Sequence, residues 1–216
     1  MPDLLQIHTI MSLPFEENTY VLWLKGHGEA LVIDPGLEPD LILEFLSEQQ
    51  LTPVAILNTH GHADHIGGNG ALKNAFPQAP LIIGKDDAHM LADADANLSA
   101  PFGMPILSPP ADRTVVEGDV IEAGGIRLEV LEVPGHSPGH VVFLYRGTPW
   151  MLLGGDVLFR GSVGRTDFFN SRPEVFVPGI RGKLLTLPSD TVVYPGHGPT
   201  TTIGHEKQTN PFVNEG

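Results

Sequence analysis

The run His60-Gly61-His62-Ala63-Asp64-His65 constrains this chain more than any other segment. It sets three imidazoles and a carboxylate within six residues, and such groups are costly to desolvate together unless a metal ion holds them. In a chain of this composition the pattern H-x-H-x-D-H arises by chance roughly once in a thousand sequences. In an extended segment, residues two apart project to the same side. His60 and His62 can therefore grip one ion, while the chain, turning into a helix, aims Asp64 and His65 at another. Two neighbouring metal sites are the expectation.

Each ion needs further ligands. The chain has no cysteine, so disulfides, thiolate nucleophiles and Cys-ligated zinc or iron–sulfur centres are excluded, and any metal must bind through His and carboxylate. The remaining candidates are His136 in Pro134-Gly135-His136-Ser137-Pro138-Gly139, Asp156 in Gly154-Gly155-Asp156, and His197 in Pro195-Gly196-His197-Gly198. All three follow strand-like runs. His8, His27, His89, His140 and His205 have no such setting and are expected at the surface or in hydrogen-bonded structural roles. Asp34 closes a strand beside the presumed site and is expected to orient a ligand histidine.

Strands and helices are read from periodicity. Leu5 to Ile10, Thr19 to Leu24 and Ala30 to Ile33 are expected strands, the last ending in the turn signal Asp34-Pro35-Gly36. Residues 39–50 carry Leu41, Ile42, Phe45 and Leu46 at helical spacing, and Val54 to Leu57 is a short buried strand. The His-rich run thus occupies a strand-to-helix loop, followed by a helix over 67–76 that stops at Pro77. Next come a strand at Leu81 to Ile83, a helix over 86–98 and a Pro-rich connection, 99–110, that could lie over the site. Strand-like runs at 114–116, 120–122, 126–133, 141–145 and 150–153 imply a second sheet. A helix over 173–187, a strand at 191–194 and a terminal helix from Gly204 complete the chain. Each sheet must cover its apolar faces, so two sheets packed face to face with helices outside are expected, with metal ligands on loops at one edge.

With 216 residues, 41% apolar and 18% charged, the chain can bury a substantial core, and a single domain spanning 1–216 is expected. The formal charge of −14 argues against nucleic acid or an anionic membrane as partner, because both require clustered Lys and Arg. Part of this acidity can offset bound cations. No basic segment leads into an apolar run at the N-terminus, and no apolar stretch is long enough to span a bilayer, so a soluble cytoplasmic protein is expected. The sequence leaves the oligomeric state open.

These motifs resemble the metallo-β-lactamase fold and, within it, short glyoxalase II-like hydrolases. The resemblance runs through Val32-Ile33-Asp34-Pro35-Gly36, Thr59 to His65, Pro134 to His140, Gly154 to Asp156, Gly164-Arg165-Thr166-Asp167, Pro195 to Pro199, Thr201 to Gly204 and Asn210-Pro211-Phe212. It implies an α/β architecture, the αββα four-layer sandwich. It further implies one metal held by His60, His62 and His136, a second by Asp64, His65 and His197, and Asp156 bridging the two. Zinc is the expected metal, with iron or manganese also compatible with such ligands.

A water shared by two divalent ions has its pKa lowered from about 15.7 toward about 7. The expected nucleophile is therefore a metal-bound hydroxide, with Asp64 and Asp156 as the catalytic carboxylates. A thiol leaves readily because its pKa is about 8.5, so a small-molecule thioester fits. For the resembled hydrolases this is S-D-lactoylglutathione, giving D-lactate and glutathione. Full-length glyoxalase II adds a helical C-terminal domain with basic residues for glutathione. This chain ends soon after Phe212, and Arg160, Arg165 and Arg172 are its candidates for binding a substrate carboxylate.

Two other chemistries fit the same scaffold. Persulfide dioxygenases resemble the chain in His60, Asp64, His65 and Gly164 to Asp167, and would use His60, His136 and Asp156 around one iron. Lactonase, β-lactamase or other ester hydrolysis is also compatible with the scaffold.

Overall fold

Period-two alternation builds the first sheet and decides what each of its faces meets. A computed structural model describes residues 4–214; the first three and last two residues of the expected domain lie outside the described residues. Strands β1 (Leu5–Ser12), β2 (Glu17–Leu24), β3 (Glu29–Ile33), β4 (Thr52–Asn58), β5 (Leu81–Gly84) and β6 (Arg113–Val115) pair in sequence order. β1 to β3 are antiparallel, and β3 to β6 run parallel. Tyr20, Leu22, Leu24, Leu31, Ile33, Ala55 and Leu57 enter the core between the sheets. Their alternates Val21, Ala30, Val32 and Ile56 face the outer layer, because successive side chains of a strand point to opposite faces.

The outer layer is helical. α1 (Pro39–Glu48) starts with Pro39 in its first turn, where a missing N–H is harmless, and buries Ile42 and Leu46, four residues apart on one face. Ile42 and Leu46 share their cluster with Ile66 and Leu72, which belong to the short helices α2 (Ala63–Ile66) and α3 (Asn69–Ala75).

The second sheet contains β7 (Val120–Ala123), β8 (Ile126–Glu132), β9 (Val141–Tyr145) and β10 (Met151–Gly155). A small hairpin follows, β11 (Leu158–Phe159) with β12 (Ser162–Val163), and then β13 (Val192–Pro195) and β14 (Thr201–Thr202). The sheet order is β14-β13-β10-β9-β8-β7, with β10 and β13 parallel. Its outer face packs Val142, Leu144, Leu152 and Val193 against Phe176, Ile180, Leu184, Ile203 and Val213. These come from α4 (Pro173–Gly179), the turn after it, α5 (Ile203–Thr209) and α6 (Pro211–Asn214). The result is the expected four-layer αββα sandwich.

Three local expectations are corrected. The helix expected over 86–98 is a 3₁₀ segment, Lys85–Ala92, followed by turns. The Asp93 side chain accepts from the N–H groups of Asp95 and Ala96 at 3.0 and 3.1 Å, so it competes with the backbone for the donors a helix would need. The helix expected over 173–187 ends at Gly179 and continues as a π turn, Ile180–Leu184, because Pro178 offers no N–H to the helical ladder. The helix expected from Gly67 begins at Asn69.

Candidate metal centre

The loops that carry the predicted ligands emerge where strands end. β4 runs into His60, β10 into Asp156 and β13 into His197, while His136 lies on the loop between β8 and β9. Two glycines permit the close approach. Gly155 takes a left-handed backbone (φ +46°), where a Cβ would strike the Thr59 side chain; a Cβ on Gly196 would overlap the Asp156 carboxylate.

All seven predicted ligands converge. Their donor atoms form three overlapping groups: His60, His62 and His136; His60, His65 and Asp156; and Asp64, His65 and His197. Asp156 faces both ends of the cluster. Its Oδ2 lies 3.4 Å from His136 Nε2 and 3.6 Å from His197 Nε2, and its Oδ1 lies 3.4 Å from His65 Nε2. Asp64 Oδ2 stands 3.3 Å from His197 Nε2 and 3.8 Å from His65 Nε2.

The orientation of the rings is set from behind. His136 Nδ1 donates to the Arg165 carbonyl at 2.8 Å, and His197 Nδ1 donates to the Phe15 carbonyl at 3.0 Å. His65 Nδ1 faces Asp34 Oδ2 at 3.2 Å. The Thr59 hydroxyl donates to Asp34 Oδ2 at 2.7 Å, so it accepts from His60 Nδ1 at 3.1 Å. In each of these four rings a partner behind the ring engages Nδ1 and leaves Nε2 as the nitrogen facing the cluster, the one a metal would take in place of a proton. The Nε2 atoms of His65 and His136 and Oδ1 of Asp156 are buried and have no hydrogen-bond partner in the protein, and His62 brings Nδ1 to 3.0 Å from His60 Nε2. Buried polar atoms of this kind are costly unless something else satisfies them, and these residues therefore fit a pair of divalent ions.

Electrostatics divides the cluster. Burial and neighbouring imidazoles push the His60 ring well below the usual histidine range and the His62 ring down to about 3; burial also lowers His136. These three are neutral, as ligands must be. Burial opposes charging of His65 and His197 as well, but it is outweighed. Asp64 and Asp156 raise His65, and the hydrogen bond to Asp64 and the charge of Asp156 raise His197. Burial works against ionisation of Asp64 and Asp156 too, yet His65 and other imidazoles hold both carboxyls below their ordinary value.

Several contributors carry no sequence signature. Asp87 is buried and accepts from the Gly61 N–H at 3.1 Å, the Ser137 hydroxyl at 2.6 Å and the Gly139 N–H at 2.5 Å, tying the His60 loop to the His136 loop. Glu17 lies 4.0 Å from His65 Nδ1, and burial raises its carboxyl well above the usual range. Asn18 donates to the carbonyls of Pro195 and Gly198 at 3.1 and 2.9 Å, fixing the His197 loop to β2. His140 is buried, stacks on His60 at 4.7 Å and accepts from the Asp156 N–H at 3.1 Å, the hydrogen-bonded structural role expected of it. Asp34 takes the orienting position expected of it.

Beside these ligands opens a cleft of about 990 Å³, whose lining includes His62, Asp64, His136, Asp156 and His197. Ser99, Pro101, Met104 and Ile106 form one side, so part of the connection over 99–110 does border the site. Of the three candidate arginines only Arg165 lines the cleft. Its guanidinium pairs with Asp167 at 2.6 and 2.7 Å. Arg172 lies 3.7 Å from Glu174, and Arg160 is exposed.

Residues 13–197 match the family model described as the metallo-beta-lactamase superfamily, and the chain belongs to that superfamily. It is 39% identical to the probable metallo-hydrolase YqgX of Bacillus subtilis over 203 residues, 93% of this chain and 94% of that protein. It is 35% identical to the hydroxyacylglutathione hydrolase GloC of Haemophilus influenzae over 213 residues, 97% of this chain and 99% of that protein. Among solved structures it is similar to BLEG-1 B3 metallo-beta-lactamase, with a TM-score of 0.92 and 38% identity over 97% of this chain and all (100%) of that one. TTHA1623, solved in a di-iron-bound form, gives 0.84 and 38% over 95% and 99% of the two chains. ETHE1 of Myxococcus xanthus gives 0.80 and 28% over 98% and 86%. The His/Asp cluster together with the di-iron neighbour supports a dinuclear centre. No described helix is long and apolar enough to cross a membrane.

Proposed function

We propose that this protein is a dinuclear metal-dependent thioester hydrolase of the cytoplasm, acting on a small S-acyl thiol in the manner of a hydroxyacylglutathione hydrolase. In this reading His60, His62 and His136 would hold one ion and Asp64, His65 and His197 the other, with the Asp156 carboxylate within reach of both sets. The observation that carries this reading is the shared orientation of His60, His65, His136 and His197. Each has Nδ1 engaged by an acceptor outside the cluster, with Nε2 turned toward the Asp156 carboxylate or its neighbours. Two divalent ions, when bound, would supply Lewis acidity that activates water near neutral pH and polarises a carbonyl.

The chain's own residues do the rest. Asp156, ionised and presenting both oxygens, keeps the two ligand sets in register. Asp34, Thr59 and the carbonyls of Phe15 and Arg165 hold the rings, so little reorganisation is needed at the moment of reaction. In the net step, water oxygen bonds to the acyl carbon, the C–S bond breaks, and acid and thiol are released. A thiol with a pKa of about 8.5 needs little protonation to leave, which suits a cleft whose described lining shows no lysine or tyrosine to act as a general acid. The likeness to GloC supports S-D-lactoylglutathione as the first substrate to test.

The resemblance of His60, Asp64, His65 and Gly164 to Asp167 to persulfide dioxygenases supports a second reading, a one-iron enzyme that would use His60, His136 and Asp156. It leaves His62, Asp64, His65 and His197 without a ligand's role, although they join the other three in overlapping groups of donor atoms. The deciding experiment measures S-D-lactoylglutathione hydrolysis by purified protein, with metal content determined in parallel and chelation followed by zinc, manganese or iron add-back. Two metals per chain and metal-dependent hydrolysis are expected. One iron with rapid oxygen uptake on glutathione persulfide overturns the hydrolase reading.

A further inference from the structure

The walls of the cleft differ in chemistry from its floor. The floor carries the ligand carboxylates and imidazoles, whereas Leu13, Phe15, Met104, Ile106, Phe159 and Phe168 line the sides. Leu13 and Met104 are 53% and 61% exposed. Large apolar side chains gathered in this way around a site, and held out to water, usually serve binding.

Both sides are fixed in place. The Ile106 N–H donates to Ser99 Oγ at 2.9 Å, and Asn97 Nδ2 donates to the Ile106 carbonyl at 2.8 Å. Opposite, the Leu13 N–H donates to Glu38 at 2.6 Å, and the Phe15 carbonyl is engaged by His197. Histidines aside, Arg165 is the one cationic side chain among the described lining residues, and it is already committed to both oxygens of Asp167. Along these walls a charged arm would therefore lose hydration without gaining a free partner.

We propose that the apolar walls seat the acyl arm of the substrate as a hydrocarbon chain or ring, so that the preferred substrates are thioesters of apolar acyl groups. This rests on the thioesterase reading above. The carbonyl must reach the ligand atoms on the floor, which leaves two arms to place. A polar or charged leaving thiol is best left toward solvent, while a hydrocarbon acyl chain gains from every apolar contact along the walls.

Two measurements on metal-loaded protein test the assignment. Calorimetric affinity for S-methyl, S-butyl, S-hexyl and S-octyl glutathione, non-hydrolysable thioethers with the alkyl group in place of the acyl arm, should rise about two- to fourfold per added methylene until the cleft is filled. In M104S, a change at an exposed side chain, the hexyl-to-methyl affinity ratio should fall at least about twofold relative to the parent protein. The second measurement, kcat/KM for S-acylglutathiones from D-lactoyl to octanoyl, should rise in parallel. Affinity independent of chain length, or kcat/KM highest for D-lactoyl, overturns the apolar assignment while leaving thioester hydrolysis standing. Chain-length-dependent affinity without turnover of any thioester supports the apolar cleft and overturns the thioesterase reading.

Discussion

Asp34 Oδ2 stands 3.2 Å from Nδ1 of His65, and the Asp34 carboxylate also accepts from the Thr59 N–H and hydroxyl, both at 2.7 Å. One buried carboxylate at the end of β3 thereby orients His65 directly and His60 through Thr59, two imidazoles that the proposed centre assigns to different ions. Asp34 holds this position with a positive φ of 51°, a conformation that Asp tolerates better than most residues.

Replacing Asp34 with Asn keeps the size but removes the charge facing His65 Nδ1. Partners behind ligand histidines are typically worth ten- to a hundredfold in metal affinity. D34N should weaken the more weakly held ion by about that factor in competition titrations with a chelator. Unchanged affinity would show that Asp34 does not orient the ligand.

Asp156 faces His65, His136 and His197 at 3.4 to 3.6 Å. Asp156→Ala should reduce metal content at both positions and lower hydrolysis by about a thousandfold or more, an order set by loss of the metal-assisted step. Elemental analysis with an activity assay reads both effects. Retention of two ions and of activity contradicts the bridging role.

Acid should strip the two positions unequally. His65 and His197 are raised above the ordinary histidine value, whereas His60 and His136 are lowered and His62 falls to about 3. A group with a raised pKa stays protonated to higher pH, so protons compete with metal at His65 and His197 first as pH falls. Dialysis in steps from about pH 8 to about pH 5, across the ordinary histidine range, should leave protein carrying one ion before none. Simultaneous loss of both ions counts against the division.

Asp87 is a structural counterpart to these ligands. Its carboxylate is fully buried and satisfies donors on Gly61, Ser137 and Gly139. Asp87→Ala leaves those donors unmatched and should lower stability by about 2–4 kcal/mol, the scale of unsatisfied buried groups. Denaturant unfolding of metal-free protein measures this without the contribution of bound metal. A change under about 0.5 kcal/mol, the size expected of an ordinary surface substitution, would place the loop coupling elsewhere.

The sequence by itself determined the layered fold and which His and Asp side chains gather at one edge of it. His60 to His65 are close along the chain, so their spacing already brings them together, and the alternation in β2, β3 and β4 marks which side chains enter the core between the sheets. The glycine-flanked positions of His136, Asp156 and His197 were legible for a similar reason: tight turns after strands leave side chains at a sheet edge. Proximity to Asp156 was a poorer guide for the arginines. Only Arg165 of the three reaches the cleft, and there it is paired with Asp167.

Tertiary structure alone decided which nitrogen each ring presents, how the two loops are joined and what the cleft offers a substrate. The acceptors behind His197 and His136 are the main-chain carbonyls of Phe15 and Arg165, 182 and 29 residues away, and a carbonyl is the same group whatever residue bears it. Asp87, Glu17 and Asn18 likewise acquire their roles from burial and from partners distant in sequence. Local spacing encodes contacts within a turn or strand, but hydrogen bonds between separate elements exist only once the two sheets have closed on their shared core.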